Sequence, residues 1–583
     1  MEKQGFTIGR RNFLKAAAVT GAAVTAGFLG GCAPASQSSG DNATTGSGGM
    51  SADMATKEWT FAMPPEPISE DRIVETVQAD VIVVGAGASG LVTAVSAAEE
   101  GLKVICVSAS SKPVARGGSN NAVYCKAMER DGFDKLSPSL FRKEAFYAGN
   151  QVDERKWYKH YNNSEEAMNW AIDLMEAAGY QVKVERGTPG DVGDLYYETC
   201  SIGWDLGEGM EADPDMTLAT GMMQPLFVKE LARHFTEDLQ GRIDFETRGE
   251  QLVREDDNTG RVTAVICSRG DGSYVSYEGA KAVVLATGDF SANKEMMYRY
   301  APHYAPYIAD EVYEGETDYD QGFKYGGLFK GDGHQMGLWV GAGWQKVFPN
   351  CVMGGFFGPG PRNLYSNFLG LLVNRNGERF MNEDCLSPCA GMNNYGQPEK
   401  TVFALWDTGY ARHETLSGSW NNDSAHKGDD EAVQQAIIAS WEEAVASGSM
   451  VKGDTVEEII EKLELPDEAL ETVRRYNELA AQGSDKDFYK TPEHLHALDQ
   501  GPFYGQSNNG MLVFLTVLGG LNTDASMQVC DKDDQPIPGL FNVGTMVGDM
   551  FATNYTFMIE GANYGANCLT FGYLTGKYIA ENA

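Results

Sequence analysis

Residues 79 to 101 read ADVIVVGAGASGLVTAVSAAEEG, and this stretch decides the fold of the chain. Its first four apolar β-branched residues, VIVV, are typical of a buried parallel strand. Gly85, Gly87 and Gly90 follow with G-x-G-x-x-G spacing, and residues 91 to 100 read as a helix. In this order the glycines permit a tight turn, let a pyrophosphate approach the backbone, and let the helix pack on the strand. The stretch therefore predicts a dinucleotide site, and the alternative is a glycine-rich turn in an α/β core.

One usual feature of such a site is replaced here. The second strand, residues 103 to 107, is followed by Ser108, where an acidic residue commonly holds the ribose hydroxyls. A serine hydroxyl also hydrogen-bonds a ribose hydroxyl, but more weakly than a carboxylate does. The nucleotide is therefore expected to need other anchors.

The N-terminal residues resemble an export signal. The sequence GRRNFLK (residues 9 to 15) carries the paired arginines and the Phe-Leu of a twin-arginine signal. A small apolar stretch, residues 16 to 29, then leads to Leu-Gly-Gly-Cys ending at Cys32, which resembles a bacterial lipobox. That stretch is too short and too rich in Ala, Gly and Thr for a membrane span. We expect a twin-arginine lipoprotein signal over residues 1 to 32; the alternative is a cytosolic protein with a chance Arg-Arg pair.

Composition limits the classes of partner. The chain has 46 basic and 82 acidic residues, a net charge of −36, which argues against nucleic-acid binding. Residues 33 to 77 are expected to form a flexible tether and lead-in, because 33 to 57 are rich in Ser, Gly, Ala and Thr. The ten cysteines include no C-x-x-C motif, so neither a c-type haem nor a metal site is predicted. Cys385 and Cys389 leave a disulfide or a cluster open, although free thiols are the simpler expectation.

Later stretches continue the α/β pattern. Residues 281 to 293, KAVVLATGDFSAN, form an apolar strand that runs into Thr287 and Gly288. Residues 331 to 343, GDGHQMGLWVGAG, begin with a glycine turn and continue as an amphipathic helix. Residues 371 to 384, LLVNRNGERFMNED, are interpreted as a hairpin around an Asn-Gly turn.

The ordered set of motifs resembles the fumarate reductase and succinate dehydrogenase flavoprotein family. The motifs are GAGASG, ARGGSN (115 to 120), AVVLATGDFSANKEMM, GDGHQM, VNRNGERFMNE, LGGLNTD, GLFNVG and TFGYLTG. The resemblance implies an α/β fold, with a Rossmann-like FAD-binding domain (residues 78 to 344 and 506 to 583) split by an inserted α+β capping domain (345 to 505). It also implies FAD as the cofactor and hydride transfer between its flavin and a C–C bond.

The motifs and the resemblance together indicate the cofactor-binding residues. In this family the Gly-Gly pair at Gly117 and Gly118 lies close to the flavin. Gly544 ends the GLFNVG motif, and Asn563 matches the start of the last helix. The predicted set is Gly85, Gly87, Ala88, Ser89, Gly90, Ser108, Gly117, Gly118, Ser119, Thr287, Gly288, Gly544 and Asn563.

The residues with which soluble fumarate reductases clamp a dicarboxylate are absent at the matching places. Phe348 and Thr516 stand where that family has histidines, and Ser387 stands at the proton-donating arginine. The other matched positions are Asn363, Ser366 and Ile559. A dicarboxylate needs fixed positive charge, for which paired arginine is the usual solution. Fumarate is therefore not expected as a substrate, and the site is expected to be larger and more apolar.

Tyr555 is the first candidate for the missing acid. The ketosteroid dehydrogenases of the wider superfamily place a tyrosine in a comparable segment to polarise a carbonyl. A tyrosine hydroxyl donates a proton or stabilises an enolate. Glu560 and His334 are the other catalytic candidates, and Asn554 stands in the same segment. For each, a packed side chain with a satisfied hydrogen bond is the alternative, and Arg379 is expected to be structural.

The sequence thus predicts an exported, lipid-anchored, FAD-dependent reductase of an activated C=C bond in an organic acceptor other than a small dicarboxylate. Enone steroids and aryl acrylates fit this description. No second nucleotide motif, haem motif or FMN-attachment motif is found, so electrons are expected from a separate protein such as a membrane-bound cytochrome. Two alternatives stay open: a flavin dehydrogenase of the ketosteroid type, and a lipoprotein that binds a ligand without turnover.

Overall fold

The computed structural model describes residues 58–115, 117–118, 120–186, 200–211, 224–308, 310–320, 329–354, 370–383, 393, 396–414, 431–508, 513–553, 555, 559 and 561–583. The predicted export signal, residues 1 to 32, and residues 33 to 57 of the predicted tether lie outside the described residues. So do individual positions named above: Ser119, Asn363, Ser366, Cys385, Ser387, Cys389, Asn554 and Glu560.

The strands of the described part are β1 Ile73–Val84, β2 Val104–Val107, β3 Asn120–Asn121, β4 Gln181–Arg186, β5 Cys200–Asp205, β6 Arg242–Asp244, β7 Thr247–Arg254, β8 Val262–Arg269, β9 Tyr274–Leu285, β10 Asn350–Gly354, β11 Leu371–Asn374, β12 Val402–Asp407, β13 Val451–Gly453, β14 Phe503–Asn508, β15 Val513–Leu518, β16 Gln528–Cys530 and β17 Pro536–Asn542. The longer helices are α1 Ala88–Glu99, α2 Lys126–Asp131, α3 Pro138–Tyr147, α4 Glu154–Ala177, α5 Gln224–Arg233, α6 Lys294–Tyr300, α7 Asp310–Glu314, α8 Asp332–Trp339, α9 Tyr410–Glu414, α10 Glu431–Ala446, α11 Val456–Lys462, α12 Glu468–Gln482 and α13 Phe571–Asn582. None of these helices is long and apolar enough to cross a bilayer.

Strand β1 is central to an eight-stranded sheet with the order β16-β17-β9-β1-β2-β6, to which β8 and β7 add beside β9. It runs parallel to β2 and to β9, with Val83 opposite Cys106 and Val284. Successive side chains of a strand point to opposite faces. Val81 and Val83 accordingly join the core formed with α1, α4, α5 and α13, while Ile82 and Val84 join a second core with β8 and α8.

The turn between β1 and α1 has the form that its glycines predict. Gly85 has φ +117°, in the left-handed region, and a Cβ on it would lie 2.3 Å from the carbonyl oxygen of Ala286. A Cβ on Gly90 would lie 1.9 Å from the carbonyl oxygen of Gly85. Only glycine permits these two approaches, so the turn brings α1 directly against the sheet. The helix begins at Ala88, three residues earlier than expected.

A separate antiparallel sheet, β11-β12-β14-β13, takes its four strands from between residues 371 and 508. Helix α10 covers one face, where Trp406, Trp441 and Tyr504 pack together. Helices α11 and α12 cover the other face. This arrangement agrees with an inserted α+β region, and the domain limits at residues 345 and 505 remain predictions.

The hairpin predicted for residues 371 to 384 is wrong. Only Leu371–Asn374 forms a strand, and its partner is β12 rather than the residues after the turn. The Asn-Gly turn itself is present and closed by a backbone hydrogen bond of 3.0 Å. Beyond it, Arg379 binds Glu383 and Asp485 through buried ion pairs, each at 2.8 Å. In the described residues 375 to 383, which include these pairs, no second strand is present.

Burial of the charges around Arg379 explains their strict pairing. Burial raises the pKa of Asp485, but the hydrogen bonds from Arg379 and from backbone N–H groups outweigh it and bring the pKa to about 2. Lys490 adds a second cation, with Nζ 3.5 Å from Glu383. Breaking such a group by removing one partner leaves a buried charge uncompensated. The position of Arg379 therefore fits the structural role expected for it.

The cysteines in the described residues fit the expectation of free thiols. Those classified as free and buried are Cys106, Cys125, Cys267, Cys351, Cys530 and Cys568. Burial raises the pKa of Cys530 to about 11 and that of Cys568 to about 12, so both are protonated thiols at neutral pH.

Candidate active site

The carboxyl ends of the parallel strands meet at one edge of the main sheet and open into a cleft. Residues that directly follow β1, β2 and β9 line it. In open α/β sheets this is where ligands bind. No group of three His, Cys, Asp or Glu side chains in the described part of the chain is placed to hold a metal ion.

Most of the predicted cofactor-binding residues line this cleft. They are Gly85, Gly87, Ala88, Ser89, Ser108, Gly117, Gly118, Thr287, Gly288 and Asn563. Gly90 and Gly544 lie behind the lining and support it, because a Cβ on Gly544 would come within 2.4 Å of Ser89 Oγ. Ser119 lies outside the described residues.

The loop at Gly87 has space for a phosphate group. A Cβ added to Gly87 would meet only the carbonyl oxygen of Val114, at 3.5 Å. Helix α1 begins directly after Gly87, and no side chain of the described residues caps its first amides. Uncapped amides at a helix N-terminus bind anions. In the same cleft, Thr545 Oγ1 is buried and has no partner among the described residues, so the lining also presents a hydroxyl to a ligand.

The hydrogen bonds around Ser108 use its proton and leave its oxygen as an acceptor for a ligand. Ser110 Oγ donates to the carbonyl oxygen of Lys112 at 2.7 Å. In the 2.8 Å bond between the two serine hydroxyls, Ser108 must therefore be the donor. Its oxygen keeps its lone pairs for a ribose hydroxyl, which is the role expected for it.

Arg248 and Asp332 form a charged pair on the cleft wall that the sequence analysis missed. The guanidinium binds the carboxylate with two bonds, Nη2 to Oδ1 at 2.8 Å and Nε to Oδ2 at 3.0 Å. Burial lowers the pKa of Arg248, but Asp332 more than offsets it, so the pKa is raised and the charge is held. Tyr319 donates to the same carboxylate at 2.8 Å. The positive charge of Arg248 is thus already paired with the Asp332 carboxylate.

Tyr555 lines the same cleft, close to the start of the last helical segment. Its hydroxyl oxygen accepts a hydrogen bond from the N–H of Asn563 at 3.4 Å. Asn563–Thr570 is a π-helical stretch that continues into α13, and such stretches often mark functional sites. The tyrosine ring packs edge-on against Phe551, with ring centroids 4.8 Å apart. The N-terminal end of a helix favours negative charge, which suits a hydroxyl that stabilises a developing anion.

His334 does not line the cleft. It lies on α8, which is shorter than the helix predicted over residues 331 to 343. Its ring packs edge-on against Phe290, and its Nε2 donates to the carbonyl oxygen of Gly519 at 3.3 Å. Burial lowers the pKa of His334 to about 4, so the ring is neutral at pH 7. Its contacts support the turn at Gly519, and Glu560, the other candidate, lies outside the described residues.

The positions matched to the dicarboxylate clamp divide into three groups. Thr516 lines the cleft. Phe348 is 49 % exposed and does not line it, and Ile559 is buried. The remaining positions fall outside the described residues. Of these positions, Thr516, which the sequence analysis matched to a histidine of the fumarate reductases, is the one that the described cleft presents.

Two further residues of the lining escaped the sequence analysis. Asp289 is fully buried directly beyond β9, in the sequence Thr-Gly-Asp. Its place after a central parallel strand is a signal that identifies it, since ligands bind at that edge. Tyr564 also lines the cleft, and its ring occupies the space beside Gly117, where a Cβ would lie 2.8 Å from it. No local pattern marks Tyr564.

A family comparison identifies the cofactor. The sequence profile described as FAD binding domain matches residues 80–556. The chain belongs to this FAD-binding family. FAD as the cofactor and the class of FAD-dependent oxidoreductase acting on CH–CH or C=C groups are thereby confirmed.

Relatives of this FAD-binding protein match most of its length. The vinyl phenol reductase of Lactiplantibacillus plantarum is 24 % identical over 525 residues, 86 % of this chain and 96 % of the relative. The fumarate reductase (cytochrome) of Shewanella frigidimarina is 24 % identical over 513 residues, 86 % of this chain and 77 % of the relative. The predicted family resemblance is confirmed.

A solved structure shares the fold. The 3-ketosteroid-Δ4-(5α)-dehydrogenase from Rhodococcus jostii RHA1, in complex with 4-androstene-3,17-dione, matches with a TM-score of 0.64 and 22 % identity. The match covers 88 % of this chain and 99 % of that structure. At this identity the likeness establishes the fold alone, and it confirms the predicted α/β class.

Proposed function

We propose that this chain is an exported FAD-dependent reductase of an activated C=C bond in an organic acceptor that is not a small dicarboxylate. The observation that carries the proposal is one cleft that unites the nucleotide loop, Tyr555 and Thr516. Among the described residues that line it, Arg248 is the one cation, and Asp332 already holds it. The lining thus suits a neutral acceptor better than a dianion.

The residues of the cleft divide the reaction between them. FAD, when bound, would supply a hydride to one carbon of the double bond. Negative charge then develops on the activating group of the acceptor, and the Tyr555 hydroxyl donates a hydrogen bond or a proton to it. The backbone N–H of Asn563 stabilises the oxygen of Tyr555 as its proton leaves, and solvent restores that proton. The acceptor gains two electrons and two protons in total.

We propose that a separate redox protein delivers the two electrons. The chain contains one strand–glycine–helix unit, and its glycine loop is assigned here to FAD. The sequence has no second G-x-G-x-x-G motif, so it does not predict a second dinucleotide site of this kind. Dithionite-reduced viologen replaces this partner in an assay, and NADH alone is expected not to reduce the flavin.

Fumarate is expected to reoxidise the reduced holoenzyme at least ~10²-fold more slowly than a neutral aryl enone or a vinyl phenol does, because a dianion needs fixed cations to offset its desolvation. Stopped-flow absorbance of the flavin measures both rates after reduction with viologen. Equal rates with fumarate would overturn the assignment. If none of the tested acceptors reoxidises the flavin, a ligand-binding lipoprotein is favoured. If a saturated 3-oxosteroid is oxidised faster, with an artificial electron acceptor present, the dehydrogenase is favoured.

The export proposal makes its own prediction. Replacing both arginines, Arg10→Lys with Arg11→Lys, is expected to leave the precursor in the cytoplasm, because the export machinery reads the pair. Cys32→Ser is expected to release the mature protein from the membrane fraction, because the serine oxygen cannot carry the thioether-linked lipid. Cell fractionation and immunoblotting measure both. Membrane attachment that is unchanged in the Cys32→Ser variant contradicts a lipid anchor at that residue.

A further inference from the structure

The carboxylate of Asp289 is held rigidly in the wall of the cleft. A backbone N–H donates to each of its oxygens, Ser291 N to Oδ1 at 3.3 Å and Val517 N to Oδ2 at 3.1 Å. The hydroxyl of Ser291 adds bonds of 2.9 and 3.0 Å. Since backbone N–H groups only donate, both carboxylate oxygens are fixed as acceptors. These donors hold the carboxylate in one orientation.

The fixed carboxylate decides the role of Thr516. The Oγ1 of Thr516 lies 3.0 Å from Asp289 Oδ2. Because that carboxylate oxygen accepts, the Thr516 hydroxyl must donate its one proton to it. Thr516 is partly exposed in the cleft, and what its oxygen retains for a ligand is lone pairs. Toward the cleft, Thr516 therefore acts as a hydrogen-bond acceptor only, because its proton is used in the bond to Asp289.

We infer that Asp289 sets the hydroxyl of Thr516 as a hydrogen-bond acceptor toward the cleft, and that the organic acceptor presents a hydroxyl or N–H group to it. This inference rests on the proposed function, because it takes the acceptor to bind in this cleft. It narrows the substrate class. Phenols, alcohols and N–H heterocycles satisfy Thr516, whereas a carboxylate or an ether at that point sets lone pairs against lone pairs. Aryl acrylates whose carboxylate reaches Thr516 are disfavoured.

Binding of saturated ketones to the oxidised holoenzyme tests this inference without turnover. The probes are 4-(4-hydroxyphenyl)butan-2-one and its 4-methoxy counterpart, which differ in one donor, and perturbation of the flavin absorbance reports each Kd. The holoenzyme is expected to bind the hydroxyl compound about tenfold more tightly than the methoxy compound. Thr516→Ser is expected to keep this preference, and Thr516→Val to reduce the ratio to about one.

Asp289→Ala tests the positioning role. Without a carboxylate oxygen to accept it, the Thr516 proton turns to the cleft, so the ratio of the two Kd values is expected to shift from the hydroxyl compound toward the methoxy compound. Flavin content and Tm report whether each variant is a folded holoenzyme. A tenfold preference that persists in Thr516→Val overturns the inference. An unchanged preference in a folded Asp289→Ala holoenzyme removes Asp289 from it. Because the probes are saturated, these outcomes are independent of whether the enzyme reduces any C=C bond.

Discussion

Replacing Gly87 by valine is expected to yield a folded protein that retains no FAD. The backbone at Gly87 is extended, with φ −89° and ψ −173°, a conformation that valine adopts without strain. The new Cβ meets only the carbonyl oxygen of Val114 at 3.5 Å, so the polypeptide itself has room for it. The β-branched side chain fills the space in which a pyrophosphate approaches the α1 amides, and binding is therefore lost.

The measurement is the ratio of flavin to protein absorbance, together with the FAD released by heat. Circular dichroism and Tm establish that the variant is folded. Gly270→Val is the matched control, since a Cβ there has nothing within 4 Å. A yellow Gly87→Val protein with full FAD content contradicts the assignment of the loop, and release of FMN in place of FAD from the unsubstituted protein contradicts the cofactor.

Removal of the Tyr555 hydroxyl is expected to slow reoxidation of the reduced flavin by the acceptor ~10²- to 10³-fold, the usual loss when a donor to a developing anion is deleted. Tyr555→Phe keeps the ring and its edge-on contact with Phe551. FAD content is therefore expected to be unchanged. Stopped-flow reoxidation by an aryl enone gives the rate, and heat release gives the FAD content.

Tyr313→Phe is the matched control for that experiment. Tyr313 is also buried and its hydroxyl also makes a hydrogen bond, to the carbonyl oxygen of Ala305 at 2.9 Å, but it does not line the cleft. Its variant is expected to reoxidise at the unsubstituted rate. Should Tyr555→Phe do so too, the hydroxyl of Tyr555 has no part in the chemistry, and Glu560 is the next residue to substitute.

The parts of the site that depend on neighbouring residues were predictable from the sequence. Gly85, Gly87 and Gly90 act within a single turn, so their spacing states which of them must be small and why. Ser108 follows from counting along one strand. In both cases the physical constraint is local, and the structure places these residues around one cleft as expected.

The parts that depend on distant residues were not predictable. Asp289 acquires its role only because β15 brings Thr516 and Val517 against it. His334 shows the reverse: a titratable side chain beside a glycine turn suggested chemistry, and packing against Phe290 placed it behind the lining. The predicted hairpin failed for the same reason, because Asp485, far along the chain, determines where Arg379 lies.

The cleft is assembled from segments that lie far apart in the sequence, and this determines when the flavin nucleotide binds during synthesis of the chain. Its glycine loop follows β1, whereas Thr545, Tyr555 and Asn563 lie far along the chain, between residues 545 and 563. The ribosome therefore synthesises these walls of the cleft at widely separated times. The pocket is incomplete until the later segment has been made and folded, and the flavin nucleotide is bound only after that. The proposed twin-arginine signal agrees with this order, because that route carries folded proteins.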